Sequence, residues 1–130
     1  MIVVDASVVV MALGDDGTAG RRSRARLEGE RLAVPAVLDL EVASAWRRLC
    51  AAGRLAPARA EQAIGDLAAL PAERVDHRRL LGRCWELREV MTVYDGSYVA
   101  LAEALDAVLV TADRRLAAAP GARCRFDVLA

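Results

Sequence analysis

Thr92–Leu116, TVYDGSYVALAEALDAVLVTADRRL, decides the fold class, because it runs from an amphipathic helix through a short apolar strand into another helix, with an aspartate near each helix start. Tyr98, Leu101 and Leu105 recur at helical spacing over Tyr94–Leu105, and the alanines between them let the helix lie close to its neighbours. Val108–Val110 follows without polar alternation, the pattern of a strand buried on both faces. It leads through Thr111 and Ala112 to Asp113, and a brief helix, Arg114–Ala118, stops before Pro120 and Gly121. Such a strand needs helices on both sides, which predicts a mainly parallel sheet.

The same unit recurs on either side of this stretch. Ile2–Val4 is a β-branched strand ending at Asp5, followed by a short helix, Ala6–Leu13, that Gly14 stops. Thr18–Glu28 is helical and strongly basic. Leu32–Val34 is a second strand, closed by Pro35, and Val37–Ala52 is a helix with Leu38, Val42, Ala45, Trp46 and Leu49 as its buried stripe and Gly53 at its end. Pro57 opens a helix to Leu70, with Ile64 and Leu67 inward and Pro71 as the stop. Glu73–Asp76 is expected to be a strand, Arg78–Glu89 a helix whose apolar side is Leu80, Leu81, Cys84, Trp85 and Leu87, and Arg125–Leu129 a last edge strand. This alternation predicts one three-layer α/β/α domain over residues 1–130 with a short, mainly parallel central sheet.

Composition narrows the function classes. Arginine supplies all 18 basic residues and balances 18 acids, so the formal net charge is zero and any polyanion must be met by a local patch. Cys50, Cys84 and Cys124 form no CxxC pair, which argues against a disulfide framework or a zinc site and suits a reducing cytoplasm. The apolar opening lacks a basic leader and carries Asp5, and no run reaches the ~18 residues of a membrane span. The expectation is a soluble cytoplasmic protein with no membrane partner. Without lysine no P-loop can be built, no GxSxG surrounds a serine, and His77 is the one histidine, which excludes a two-histidine nuclease.

The acids carry the remaining chemistry. In an open parallel sheet, ligands gather beyond the C-terminal ends of the strands. Asp5 and Asp113 stand at strand ends, Asp95 starts the helix before the strand that leads to Asp113, and an acid at the start of the helix after the second strand can reach the same rim. At ~100° per residue, Asp39 and Glu41 lie on opposite borders of that helix's buried stripe, and geometry does not choose between them. Each aspartate taken alone reads as a helix cap. Together they form a ring that would repel itself unless a cation sat within it, and hard oxygen donors without histidine or thiolate suit Mg²⁺ or Mn²⁺.

VVDASVVV, LDLEVASAWRR, YDGSYVALAEAL and VLVTADRRL, in that order, resemble the PIN-domain ribonucleases, and most closely the VapC-like toxins of toxin–antitoxin modules. The resemblance implies that Asp5, Glu41, Asp95 and Asp113 are the catalytic acids, which selects Glu41 over Asp39. It makes Asp5, Asp95 and Asp113 the metal ligands and Thr111 a supporting hydroxyl that orients a carboxylate or water. Some members place a further acid after the fourth, where this chain has Ala117 and apolar neighbours, a departure that leaves the choice between one and two protein-held metals open.

The implied activity is endoribonuclease cleavage assisted by Mg²⁺ or Mn²⁺, with Glu41 positioning or deprotonating the attacking water and leaving a 5′-phosphate and a 3′-hydroxyl. Its implied partners are an RNA substrate, transfer or ribosomal, a VapB-like antitoxin whose tail enters the acidic pocket, and a second copy of the chain in a homodimer. Arg21, Arg22, Arg24 and Arg26 are the candidates for RNA backbone contacts. The competing reading keeps the fold but makes the acidic rim a docking site for a basic peptide, without turnover.

Overall fold

The computed structural model describes residues 1–129; the expected domain also takes in Ala130, which lies outside the described residues. The elements run β1 (Ile2–Val4), α1 (Ala6–Gly14), α2 (Thr18–Leu27), β2 (Leu32–Pro35), α3 (Leu38–Ala51), α4 (Pro57–Ala69), β3 (Ala72–Val75), α5 (Leu81–Glu86), α6 (Val93–Leu105), β4 (Leu109–Thr111), α7 (Arg114–Ala118) and β5 (Phe126–Val128). A 3₁₀ turn, His77–Leu80, leads into α5. The five strands form one sheet in the order β3-β2-β1-β4-β5, and every neighbouring pair is parallel, so the sheet is wholly rather than mainly parallel.

Burial explains why such short strands hold. Val3, Val4, Ala33, Val34, Leu109 and Val110 are fully buried, so β1, β2 and β4 are covered on both faces. Helices α1 to α4 pack on one another in one layer, while α6 lies across β1, β2 and β4 with α5 against it. Trp46, the largest buried side chain, fastens α3 to α1 by donating its indole N–H to the Val10 carbonyl at 3.2 Å. Gly20 brings α2 against the end of α1: a Cβ there would fall 1.8 Å from the Asp15 carbonyl oxygen.

Several inward positions expected from spacing are corrected. Ile64 is 44% exposed, and Ala63 with Leu67 makes the buried contact of α4. Leu81 and Trp85 are 56% and 63% exposed, because the expected helix over 78–89 is a 3₁₀ turn followed by a helix of six residues, which turns Leu80, Cys84 and Leu87 inward instead. Leu105, in the last turn of α6, is also exposed beyond the edge of the core. Among the described residues no helix is long and apolar enough to cross a membrane.

Position β1 decides where chemistry can occur. From β1 the chain moves outward to β2 and β3, then returns to add β4 on the opposite side. The reversal opens a crevice beyond the C-terminal ends of β1 and β4, the place where doubly wound sheets bind ligands. Val4 pairs with Val110, so Asp5 and Thr111 emerge side by side.

Candidate metal centre

Asp5 lies at the bottom of that crevice, 5% exposed. It caps α1, as its place before a helix suggests, with its Oδ1 accepting from the Val8 N–H at 3.4 Å. The same oxygen accepts from the Ser7 hydroxyl at 2.5 Å, and Oδ2 accepts from the Thr111 hydroxyl at 2.5 Å. Thr111 and Ser7 also tie down the strand end beyond β4: Asp113 N–H donates to the Thr111 hydroxyl at 3.0 Å, and Ala112 N–H to the Ser7 hydroxyl at 3.0 Å. Burial raises the Asp5 carboxyl above its ordinary value, these three donors pull it back, and the negative field of Asp95 adds to the rise.

Glu41 reaches the crevice from the first turn of α3, and Tyr98 on α6 meets it. The Tyr98 hydroxyl, on a ring only 1% exposed, donates to Glu41 Oε1 at 2.6 Å. This contact bridges the two helix layers at the rim. Burial raises the Glu41 carboxyl, Tyr98 opposes that, and Asp95 and Asp5 push it further up. Asp39, the alternative that spacing left open, is turned away: its carboxylate takes a forked pair from Arg74 on β3 at 3.0 and 3.2 Å. The geometry thus separates two acids that the helix pattern could not.

Asp95 stands in the first turn of α6, whose start is capped by Thr92, its hydroxyl accepting from the Asp95 N–H at 3.1 Å. Burial raises the Asp95 carboxyl, and Asp113 adds repulsion. Asp113 is exposed and caps α7 through the N–H groups of Arg115 and Leu116. The four acids therefore sit in one another's fields, and among the described residues no ion pair joins any of them to an arginine.

Among the described residues no three histidine, cysteine or acidic side chains are drawn together closely enough to hold an ion as they stand. The ring is open, made only of carboxylate oxygens, and electrostatically unfavourable when fully ionised. That donor chemistry fits a hard divalent cation that keeps several waters, which tolerates a loose acidic ring better than an ion needing a closed cage. Asp5, fixed by three donors, is the rigid member of the ring.

Two residues of this centre escaped the sequence reading. Ser7 lies two positions after Asp5, where its hydroxyl can join β1 to β4, and Tyr98 lies one helical turn after Asp95, so both share a face of α6. Tyr98 read as part of an apolar stripe; the usable signal was that a buried tyrosine hydroxyl needs a partner.

The arginines of α2 are mostly occupied within the chain. Arg24 donates to the Ala12 and Asp15 carbonyls, Arg26 pairs with Asp127 and Glu30, and Arg21 donates to the Thr18 hydroxyl and the Asp16 carbonyl. His77 is exposed at the start of the 3₁₀ turn, and the cysteines are free, with Cys84 buried and Cys50 and Cys124 half-buried.

A family model described as PIN domain matches residues 2–122. Ribonuclease VapC9 of Mycobacterium tuberculosis (strain ATCC 25618 / H37Rv) is 44% identical over 129 residues, covering 99% of this chain and 98% of that relative. Among solved structures, PAE2754 from Pyrobaculum aerophilum aligns with a TM-score of 0.71 at 25% identity, over 98% of this chain and 83% of that one. VapBC2 from Rickettsia felis, solved bound to a promoter DNA fragment, aligns with a TM-score of 0.70 at 16% identity over 98% of each chain, a likeness of fold.

Proposed function

The chain belongs to the PIN-domain family, and from that premise we propose that it is the toxin of a toxin–antitoxin pair, an endoribonuclease that hydrolyses RNA phosphodiester bonds. The observation that carries this reading is the convergence of Asp5, Glu41, Asp95 and Asp113 on the crevice between β1 and β4, with no cationic partner among the described residues. PIN-domain nucleases of the VapC type depend on divalent metal. Mg²⁺ or Mn²⁺ is our assignment for this site, held by Asp5, Asp95 and Asp113. Bound there, such an ion supplies charge neutralisation and a lowered pKa for water.

The chain's own residues do the rest. Ser7, Thr111 and the Val8 N–H hold the Asp5 carboxylate in one orientation. Tyr98 engages one oxygen of Glu41 and leaves the other available to orient a water or take its proton. The raised carboxyl of Glu41 suits a group that must accept a proton near neutral pH. Asp113, exposed at the lip, meets substrate and solvent from the β4 side.

The partners in this reading are a transfer or ribosomal RNA, a VapB-like antitoxin and a second copy of the chain, with Ile64 exposed on α4 as an apolar contact for that copy. The cytoplasm is the proposed compartment, in keeping with three free cysteines. Purified protein incubated with RNA tests the activity directly. Cleavage should require Mg²⁺ or Mn²⁺, stop with EDTA and leave 5′-phosphate ends; binding of a basic peptide with no turnover under any divalent ion would refute it.

A further inference from the structure

Beside the acids, a groove of about 410 Å³ is lined by Val37, Leu40, Glu41, Ser44, Arg48 and Tyr94, within the ~300–1,000 Å³ range of ligand pockets. We propose that this groove is the subsite for the nucleotide next to the scissile phosphate in single-stranded RNA, with the Tyr94 ring as its stacking platform and Arg48 as its phosphate contact. The proposal rests on the ribonuclease reading and specifies where its substrate lies.

Four observations carry it. Glu41 is a wall of both the acid ring and the groove, so a strand reacting over the acids continues into it without leaving the surface. Tyr94 is the residue before Asp95 and is 54% exposed at the start of α6, and among the described residues its hydroxyl has no hydrogen-bond partner. An aromatic face open to solvent beside a phosphodiester site is what base stacking requires, and it serves any base.

Arg48 lies on the same face of α3 as Glu41 and Ser44, seven residues from Glu41 and so about 10 Å along the axis at ~1.5 Å per residue. It is exposed, and its guanidinium meets only the Ser44 hydroxyl, at 3.0 Å. Among the described residues Arg48, like its neighbour Arg47, has no carboxylate partner, and it is Arg48 that lines the groove. A cation left without an anion, at the end of a groove that begins at an acid ring, complements a phosphate one step along a strand. Val37 and the exposed Leu40 give the sugar and base edge an apolar floor.

The test is equilibrium binding of a short, labelled single-stranded RNA to the full chain in an Asp5→Asn background, which removes turnover, with a salt titration for each variant. Tyr94→Ala should weaken binding about tenfold or more, and Tyr94→Trp should recover most of that loss. Arg48→Ala should lower the slope of log affinity against log salt by about 0.7, the loss of one phosphate contact on a single strand. Trp85→Ala, an exposed ring outside the groove, should change neither. The proposal is overturned if Tyr94→Ala and Arg48→Ala bind RNA like their parent, including the case in which they lose only affinity for a protein partner. Wild-type cleavage with unaltered binding in these variants defeats the subsite alone; absence of metal-dependent cleavage in the wild type defeats the ribonuclease reading, whatever Tyr94 does.

Discussion

Carboxylates on the body of the molecule and those on the rim beyond β1 and β4 live under opposite electrostatic rules. On the body, Asp39 pairs with Arg74, Asp16 with Arg59, Asp127 with Arg26 and Glu103 with Arg83. Hydrogen bonds from Arg59 hold Asp16 below its ordinary range, and those from Arg78 bring Asp76 down to about 2. Burial would raise Glu103, but Arg83 and the Arg123 N–H override it. On the rim, Asp5, Glu41 and Asp95 are raised first by burial and then by neighbouring acids, Asp95 acting on Asp5 and Glu41, and Asp113 on Asp95. With 18 arginines for 18 acids, a shortage of cations does not explain the difference. In the proposed reading the counter-charge of the rim is a bound divalent ion rather than an arginine.

The largest effect should come from removing a rim charge that holds the ion. Asp5→Asn or Asp95→Asn is expected to abolish RNA cleavage while circular dichroism shows an intact fold; retained cleavage would erase the distinction between rim and body. Glu41→Gln should lower kcat by ~10²–10⁴-fold, the scale of a lost general base. Its effect on KM should be small if Glu41 acts on water rather than on substrate.

A sharper contrast comes from pH and metal. A carboxyl whose folded pKa is raised binds protons in the folded chain that the unfolded chain has released, so stability falls as pH rises from the ordinary carboxylate range through the raised values. In EDTA, the melting temperature should therefore decline across that window. Asp95→Asn should flatten the decline and raise the melting temperature at neutral pH. Added Mg²⁺ or Mn²⁺ should stabilise the wild type and leave Asp95→Asn nearly unmoved. Equal metal-induced shifts in both proteins would move the ion elsewhere.

The smallest effect marks the other side of the comparison. Asp39→Asn breaks the forked pair with Arg74, a half-exposed contact contributing at most about 1 kcal/mol, and should leave cleavage at the wild-type rate. Loss of activity in Asp39→Asn with stability preserved would mean that the helix pattern's unresolved choice had been settled on the wrong acid.

That choice shows where sequence reasoning stops. Strands β1, β2 and β4 were legible because each is a short apolar run between turn signals, and Asp5 and Asp113 followed from standing at their ends. Asp39 and Glu41 were indistinguishable within α3, since both flank the stripe of Leu38, Val42 and Trp46; what separates them is Arg74 on β3 and Tyr98 on α6, both remote in sequence. Ile64, Leu81 and Trp85 failed for a related reason. Apolar character marks a side that could be buried, but whether another element arrives to cover it is decided by packing order.

The hydrogen bond from Thr111 to Asp5 closes a loop of 106 residues. Because β4 brings Thr111 and leads to Asp113, part of the support of Asp5 comes from a strand remote from it in sequence. Closing so long a contact costs more chain entropy than forming the local helices on either side of it. Under the proposed site assignment, no local segment of the chain carries the whole centre: the Thr111 support of Asp5 arrives only with β4 docked beside β1.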